Sequence, residues 1–192
     1  MTRFWWVRHG PTHQRAFTGW RDVPADLSDR ARIARLDAHL PQGAVLVSSD
    51  LIRARATADV LTQGRERLPD LPGLREFDFG RWDGMMFDAV AADYPDLSRA
   101  YWEAPGDIAP PGGESWNVAA ARVGRAVAAL IAAHPGRDIV AVAHLGVILT
   151  QVQAALGVPP AEAIGQPIGP LSVTRIEIDG PARRLTAVDH TP

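Results

Sequence analysis

Phe4-Trp5-Trp6-Val7-Arg8-His9-Gly10 is the stretch that decides the fold, because four apolar residues lead directly into an arginine, a histidine and a glycine. An unbroken apolar run of this length is typical of a strand that helices cover on both faces of a parallel sheet. Two further runs end in a similar way. Residues 44–47 lead into a Ser-Ser-Asp sequence, and residues 139–143 lead into His144. The sequence therefore predicts three buried strands whose carboxyl ends carry polar side chains.

Helix-like segments lie between and after these runs. Apolar spacing, alanine content and closing glycines predict four helices, over residues 29–40, 51–61, 114–134 and 146–156. Ser49 or Asp50 is the expected N-cap of the second helix. Residues 171–178 and 185–188 predict a closing strand pair, and residues 69–113 predict loops with short helices. The alternation of strands and helices predicts a layered α/β fold.

The composition excludes several kinds of chemistry. The 192-residue chain has no cysteine, and all 20 of its basic residues are arginines. Thiolate nucleophiles, Cys-ligated metals, Walker A lysines and lysine Schiff bases are therefore excluded. A net charge of −2 without a basic stripe argues against a nucleic-acid partner. No apolar run is long enough for a signal peptide or for a membrane span of about 18 residues. We therefore expect a cytoplasmic protein with no membrane partner.

The polar residues at the three strand ends predict a shared site, since ligands of open α/β sheets bind beyond the carboxyl ends of the strands. The first strand would deliver Arg8 and His9 to that edge. Arg53 would follow one turn into the helix after the second strand, and His144 would follow the third. Each residue alone is more often an ordinary loop or surface residue. Together they would repel one another unless an anion lay between them, and arginine matches phosphate oxygens in a planar fork. The cluster therefore predicts a phosphate site, to which helix N-termini would add N–H donors.

Five blocks of the chain, in order, resemble the signature of the histidine phosphatase superfamily, the phosphoglycerate mutase-like proteins. The blocks are residues 8–12 with 18–22, and residues 48–58, 74–84, 112–115 and 142–144. The resemblance implies a three-layer α/β/α sandwich with a mostly parallel central sheet. It also implies a single domain over residues 1–192, in which residues 69–113 form a loop-rich lid.

For the chemistry, the resemblance implies a reaction that proceeds through a phosphohistidine and needs no metal or cofactor. His9 would attack the phosphorus of a phosphomonoester, and Glu76 would protonate the leaving oxygen and then assist water. Arg8, Arg53 and His144 would hold the phosphoryl oxygens. We expect phosphate or sulfate in the pocket and a small phosphorylated metabolite as partner, and a homodimer is left open. Further phosphate or substrate contacts are expected from Leu145, Thr18, Gly19, Trp20 and Arg15.

Two departures from the family pattern bear on activity. Leu145 follows the second histidine, where the family commonly has glycine, and Pro11 removes a backbone donor after the first. The chain after Glu76 is shorter than in the glycolytic mutases, whose extra segments cover the phosphohistidine, so water is the expected acceptor. The sequence therefore predicts a phosphatase. Two alternatives stay open: phosphoryl transfer of the phosphoglycerate mutase type, and a module that binds a phosphorylated ligand without turnover.

Overall fold

One six-stranded β-sheet organises the chain, which the computed structural model describes over residues 1–192. The order of the strands across the sheet is β3-β2-β4-β1-β5-β6. Strands β1 to β4 pair in parallel, whereas β5 and β6 add antiparallel strands beside β1. The prediction of a mostly parallel sheet is therefore confirmed. The strand bounds are β1 Thr2–Arg8, β2 Val45–Ser48, β3 Glu66–Arg67, β4 Asp138–Ala143, β5 Val173–Asp179 and β6 Ala182–His190.

Helices cover both faces of this sheet. On one face, residues of α5 and α6 share an apolar cluster with Phe4 and Trp6 of β1. On the opposite face, residues of α1 and α2 share a second cluster with Val7 of the same strand. This arrangement confirms the three-layer α/β/α sandwich. The helix bounds are α1 Arg30–His39, α2 Ile52–Asp59, α3 Phe87–Asp93, α4 Pro95–Glu103, α5 Trp116–Ala133, α6 Leu145–Leu156 and α7 Pro160–Ala163. No helix combines the length and the apolar character that crossing a bilayer requires.

The helices begin and end close to the predicted positions, with one correction. Asp29 caps α1, Ser115 caps α5, and Gly157 ends α6 in the left-handed conformation. The predicted N-cap of α2 is wrong, because Leu51 occupies that position and provides no side-chain cap. Asp50 is unavailable because its carboxylate accepts two hydrogen bonds from Arg75, at 2.8 and 2.6 Å.

The strand register brings the polar strand ends to one edge of the sheet. Arg8 lies opposite Ala143, and Ser48 lies opposite Val142. The next N–H groups continue the ladder, since that of His9 donates to the Ala143 carbonyl at 3.1 Å. His9 and the residues that follow β2 and β4 therefore lie side by side, as the sequence predicted.

Residues 69–113 form short helices and loops. They contain α3, α4 and two 3₁₀ helices, Pro72–Leu74 and Gly80–Trp82. Trp82, Val90 and Tyr101 pack with Phe17 into a small apolar cluster separate from those on the sheet. This segment therefore has apolar contacts of its own, which hold it above the carboxyl edge of the sheet. The sequence pattern did not predict β3 or α7, which span only two and four residues.

Candidate active site

A cavity of about 240 Å³ opens at the carboxyl edge of the sheet. It is lined by four of the five residues predicted to act in catalysis, Arg8, His9, Arg53 and Glu76. The fifth, His144, is fully buried behind His9 and does not line the cavity. Aromatic side chains, the polar groups of Thr12, Gln14 and Thr18, and the aliphatic side chains of Ala16 and Leu145 form the remainder of the wall.

His9 lies at the floor of the cavity and is 7% exposed. Its Nδ1 lies 2.7 Å from the Gly10 carbonyl oxygen, and because a carbonyl can only accept, Nδ1 carries the proton. Burial, reinforced by the positive charges of Arg53 and Arg8, lowers the pKa of the imidazole to about 3. His9 is therefore neutral near pH 7, with an unprotonated Nε2 that can act as a nucleophile.

Two arginines supply positive charge beside His9. The Nη2 and Nη1 groups of Arg53 donate to the carbonyls of Gly19 at 2.7 Å and Arg21 at 3.0 Å. Arg8 donates from Nη1 to the Ile168 carbonyl at 2.5 Å, and its buried Nε has no partner. Neither guanidinium forms an ion pair with a carboxylate. Carbonyl oxygens thus fix both side chains in place without neutralising them, which leaves their charge available to an anion.

Thr57 links the segments that carry His9 and Arg53 and was not predicted as a site residue. Its Oγ1 accepts the N–H of Gly10 at 3.0 Å and donates to the carbonyl of Arg53 at 2.7 Å. The loop that carries His9 is thereby tied to the first turn of α2. The only sequence signal for this role is its position one helical turn after Arg53.

Glu76 is held by backbone N–H groups. One carboxyl oxygen accepts the N–H of Phe77 at 3.0 Å, and the other accepts the N–H of Gly146 at 3.1 Å. Burial raises the pKa of this carboxyl, although the two N–H groups, Arg53 and Arg8 act in the opposite direction. A raised pKa favours the protonated form, which is the form that can donate a proton to a leaving group.

Gly146 is a second site residue that the sequence did not predict. A Cβ at this position would lie 2.5 Å from Oε1 of Glu76 and 2.9 Å from the Phe77 ring. The glycine that the carboxylate contacts is therefore the one after Leu145, so the leucine does not disturb Glu76. The Leu145 side chain forms part of the cavity wall instead.

An arginine of α5 positions the loop that carries Glu76. Arg122 donates to the carbonyls of Gly73, Arg75 and Glu76 at 3.0, 2.8 and 3.2 Å. It also forms a bidentate ion pair with Glu114, at 2.8 and 2.6 Å. No sequence spacing connects this arginine with the loop, because the contacts join residues 46 to 49 positions apart.

His144 supports His9 from behind. The two rings are 5.1 Å apart and inclined at 60°. Nε2 of His144 lies 2.9 Å from Oγ of Ser49, whereas its buried Nδ1 has no partner. Burial, together with the nearby His9 and Arg53, lowers the pKa of His144 well below its ordinary value, so this ring is also neutral near pH 7.

Only some of the further substrate contacts predicted from the sequence lie in the cavity wall. Thr18 and Leu145 line the cavity, whereas Gly19, Trp20 and Arg15 do not. Gly19 presents its carbonyl to Arg53, and Trp20 donates from its indole nitrogen to the Glu76 carbonyl at 2.8 Å. Arg15 is exposed to solvent. No group of three or more His, Asp or Glu side chains is arranged to hold a metal ion.

The comparisons with known proteins agree on one family. A family model described as histidine phosphatase superfamily (branch 1) matches residues 4–191. A 2,3-bisphosphoglycerate-dependent phosphoglycerate mutase of Brucella ovis is 30% identical over 174 residues, which are 83% of this chain and 84% of the mutase. The chain spans 44% of the length of the first curated relatives it matches, mycobacterial proteins that are 33% identical to it.

Solved structures share the whole fold. YhfR of Bacillus stearothermophilus superposes with a TM-score of 0.90 at 28% identity, over 100% of this chain and 98% of YhfR. A mycobacterial glucosyl-3-phosphoglycerate phosphatase superposes with a TM-score of 0.85 at 30% identity, over 99% of both chains. Structures of that phosphatase include complexes with inorganic phosphate and with VO3.

Proposed function

Because the chain belongs to the histidine phosphatase superfamily, we propose that it hydrolyses phosphomonoesters through a phosphohistidine formed on His9. One observation carries the proposal: two arginines that no carboxylate neutralises lie in the same cavity as a neutral histidine and a buried carboxyl. Two cations without a carboxylate partner, one buried and one half-buried, are costly, and a phosphate group, with up to two negative charges, offsets that cost. The phosphate and VO3 complexes of the mycobacterial phosphatase support the same kind of ligand for this chain.

In the first step, Nε2 of His9 attacks phosphorus and forms a P–N bond while the bond to the leaving oxygen breaks. Glu76 transfers its proton to that oxygen and becomes a carboxylate. Arg8 and Arg53 hold the equatorial oxygens, where negative charge is spread in the transition state. His144 packs against the His9 ring and fixes its orientation.

In the second step, the Glu76 carboxylate takes a proton from water as the water oxygen attacks phosphorus. The P–N bond breaks, its electron pair returns to Nε2, and phosphate leaves. Both the acid and the base roles thus fall to one residue. Arg8 and Arg53 supply the positive charge beside the phosphoryl oxygens, so we propose that the reaction needs no metal ion.

We propose that residues 69–113 form a lid over this site. Phe79, Phe87 and Trp102 belong to this segment and line the cavity. We propose that they exclude water from the leaving group while the phosphoryl oxygens contact the sheet edge.

The test is a panel of phosphomonoesters assayed with and without EDTA, for the unmodified chain, His9→Ala and His13→Ala. His13 is a matched control because it is an exposed histidine in the same loop, outside the cavity. We expect His9→Ala to lose more than about a thousandfold in kcat/KM, together with the acid-labile phosphoenzyme. His13→Ala and EDTA should leave activity unchanged. Equal activity of His9→Ala and the unmodified chain would refute the nucleophile, and loss in EDTA would refute the metal-free reaction.

Mutase activity is the second candidate, since the Brucella ovis mutase is 30% identical over most of both chains. The two activities share the phosphohistidine and differ in the acceptor. The ratio of 3-phosphoglycerate isomerisation to phosphate release decides between them. A ratio above one assigns the chain to the mutases, whereas phosphate release without isomerisation assigns it to the phosphatases.

A further inference from the structure

A second, smaller cavity of about 90 Å³ adjoins the main one. The two share four lining residues, Glu76, Phe79, Trp102 and Leu145. Glu76 therefore lies where the cavities meet. A leaving oxygen must come within hydrogen-bond reach of Glu76 to receive its proton, so the group attached to that oxygen lies at the mouth of the second cavity.

The wall of the second cavity is apolar. Apart from Glu76 and Tyr101, whose hydroxyl is polar but uncharged, it is made by aromatic rings, aliphatic side chains, a proline and a glycine, including Phe77, Trp116, Leu149 and Ile164. The indole N–H of Trp116 is already used, since it donates to Gln153 at 2.7 Å. No arginine or histidine lines this cavity. A carboxylate or a second phosphate placed there would lose water without gaining a counter-ion.

The main cavity adds an aromatic wall. Phe79, Phe87 and Trp102 each pack against Phe17 there, and the rings of Phe17 and Trp102 lie 6.1 Å apart in a stacked arrangement. Rings of this kind bind flat or aliphatic groups through burial of apolar area.

We propose that the substrates are phosphomonoesters of an uncharged, largely apolar alcohol or phenol, whose apolar part lies against this wall and enters the second cavity. The inference rests on the proposed hydrolysis at His9 and specifies its substrate class. A volume of about 90 Å³ accommodates a few carbon atoms or the edge of a ring. Leu145 is the specificity-determining residue, because its side chain belongs to both cavity walls, where a glycine would leave the leaving group unsupported.

Two arginines outside the cavities provide the alternative that the experiment has to separate. Arg21 donates to Gln14 and Thr18 and faces Asp83, so its charge is already engaged. Arg15 is exposed, and its neighbour Gln14 lines the main cavity. If Arg15 bound an acidic group of the substrate, charged esters would be preferred and Arg15→Ala would abolish that preference.

The experiment compares kcat/KM for benzyl phosphate and 4-carboxybenzyl phosphate, which share the scissile bond and differ in one carboxylate. We expect benzyl phosphate to be favoured by at least about tenfold, because the carboxylate would be desolvated without a counter-ion. Dissociation constants of the non-hydrolysable benzylphosphonate and 4-carboxybenzylphosphonate give the same comparison without turnover. The inference is overturned if 4-carboxybenzyl phosphate has an equal or higher kcat/KM than benzyl phosphate, or if 4-carboxybenzylphosphonate binds as tightly as benzylphosphonate or more tightly.

A charge placed in the second cavity should reverse the preference. Ile164→Arg puts a guanidinium beside the bound group, and we expect the benzyl to carboxybenzyl ratio to fall by about tenfold. Leu156→Arg is the matched control, since Leu156 is exposed and lines neither cavity. The ratio of kcat/KM for the two esters should be unchanged in Leu156→Arg and in Arg15→Ala. An unchanged ratio in a folded Ile164→Arg protein, checked by circular dichroism, also overturns the inference. If that variant does not fold, the comparison of the two esters with the unmodified chain still decides.

The two proposals fail in different ways. Turnover that favours the charged ester refutes the substrate class and leaves hydrolysis at His9 standing. Absence of turnover with both esters and with the whole panel of phosphomonoesters refutes hydrolysis, whereas tighter binding of the apolar phosphonate would still support the assignment of the ligand.

Discussion

His9→Asn removes the imidazole whose neutrality the mechanism requires, and its effect on stability can be worked out from the site. Burial, Arg53 and Arg8 lower the pKa of His9 from 6.5 to about 3. Between these values the unfolded chain binds a proton that the folded chain does not bind, so the free energy of unfolding falls as the pH falls below about 6.5. For one group with these two pKa values, the loss between about pH 7 and about pH 5 is about 2 kcal/mol.

The assay is urea unfolding of both proteins at a series of pH values. Asparagine can still donate toward the Gly10 carbonyl, which His9 contacts through Nδ1, but it does not titrate. We expect the two stability curves to run parallel above about pH 7 and to converge or cross below about pH 6, with a relative change of about 2 kcal/mol by about pH 5. The parallel region serves as the internal control. Curves that stay parallel down to about pH 5 would show that the site does not keep His9 neutral, and the argument for its nucleophilicity would fail.

Three substitutions test how Glu76 is held and used. Glu76→Gln should lower kcat for an alkyl phosphate by about 10²–10⁴, and by less for 4-nitrophenyl phosphate, whose leaving group needs no proton; equal losses would argue against an acid role. Gly146→Ala should lower kcat without weakening inhibition by phosphate, because its Cβ would meet Oε1 of Glu76 at 2.5 Å. Gly124→Ala is its control in open space, and a crystal structure with Glu76 unmoved would contradict the explanation. Arg122→Lys should shift the alkaline limb of the kcat–pH profile, because lysine cannot span three carbonyls and a carboxylate and the loop that carries Glu76 would move. Arg125→Lys, at an exposed position of the same helix, should leave the profile unchanged.

The sheet and the positions of its polar ends could be predicted because their signals are local. An unbroken apolar run is visible within five residues, and Arg8, His9 and His144 follow such runs directly. The parallel register then brings the ends together without further information, because parallel strands share one carboxyl edge.

The contacts that complete the site could not be predicted, because they join residues far apart in sequence. Glu76 accepts the N–H of Gly146 across 70 positions, and Ser49 lies against His144 across 95. Neither periodicity nor capping rules describe such pairs. The same cause explains the wrong N-cap of α2, where the carboxylate of Asp22 accepts the Ile52 N–H at 2.7 Å from a distant loop.

Four arginines in and around the site fall into two electrostatic groups. Arg75 and Arg122 each form a bidentate hydrogen-bonded pair with a carboxylate, which cancels their charge locally. Arg8 and Arg53 are fixed by carbonyl oxygens alone. Carbonyl dipoles orient a guanidinium but leave its unit charge in place, so the cavity keeps the positive charge of both side chains.

The remaining ionisable groups of the cavity preserve this charge near pH 7. Burial keeps the imidazole of His9 neutral, so it adds no charge to the two guanidiniums, and burial also raises the pKa of the Glu76 carboxyl. The two guanidinium charges match a phosphomonoester dianion. In the mechanism we propose, proton transfer from Glu76 to the leaving oxygen creates a carboxylate beside the two arginines, and their attraction stabilises the form of the enzyme that holds the phosphohistidine. The same burial then favours His9 as the nucleophile and Glu76 as the acid, and the arginines stabilise the charge that each proposed step produces.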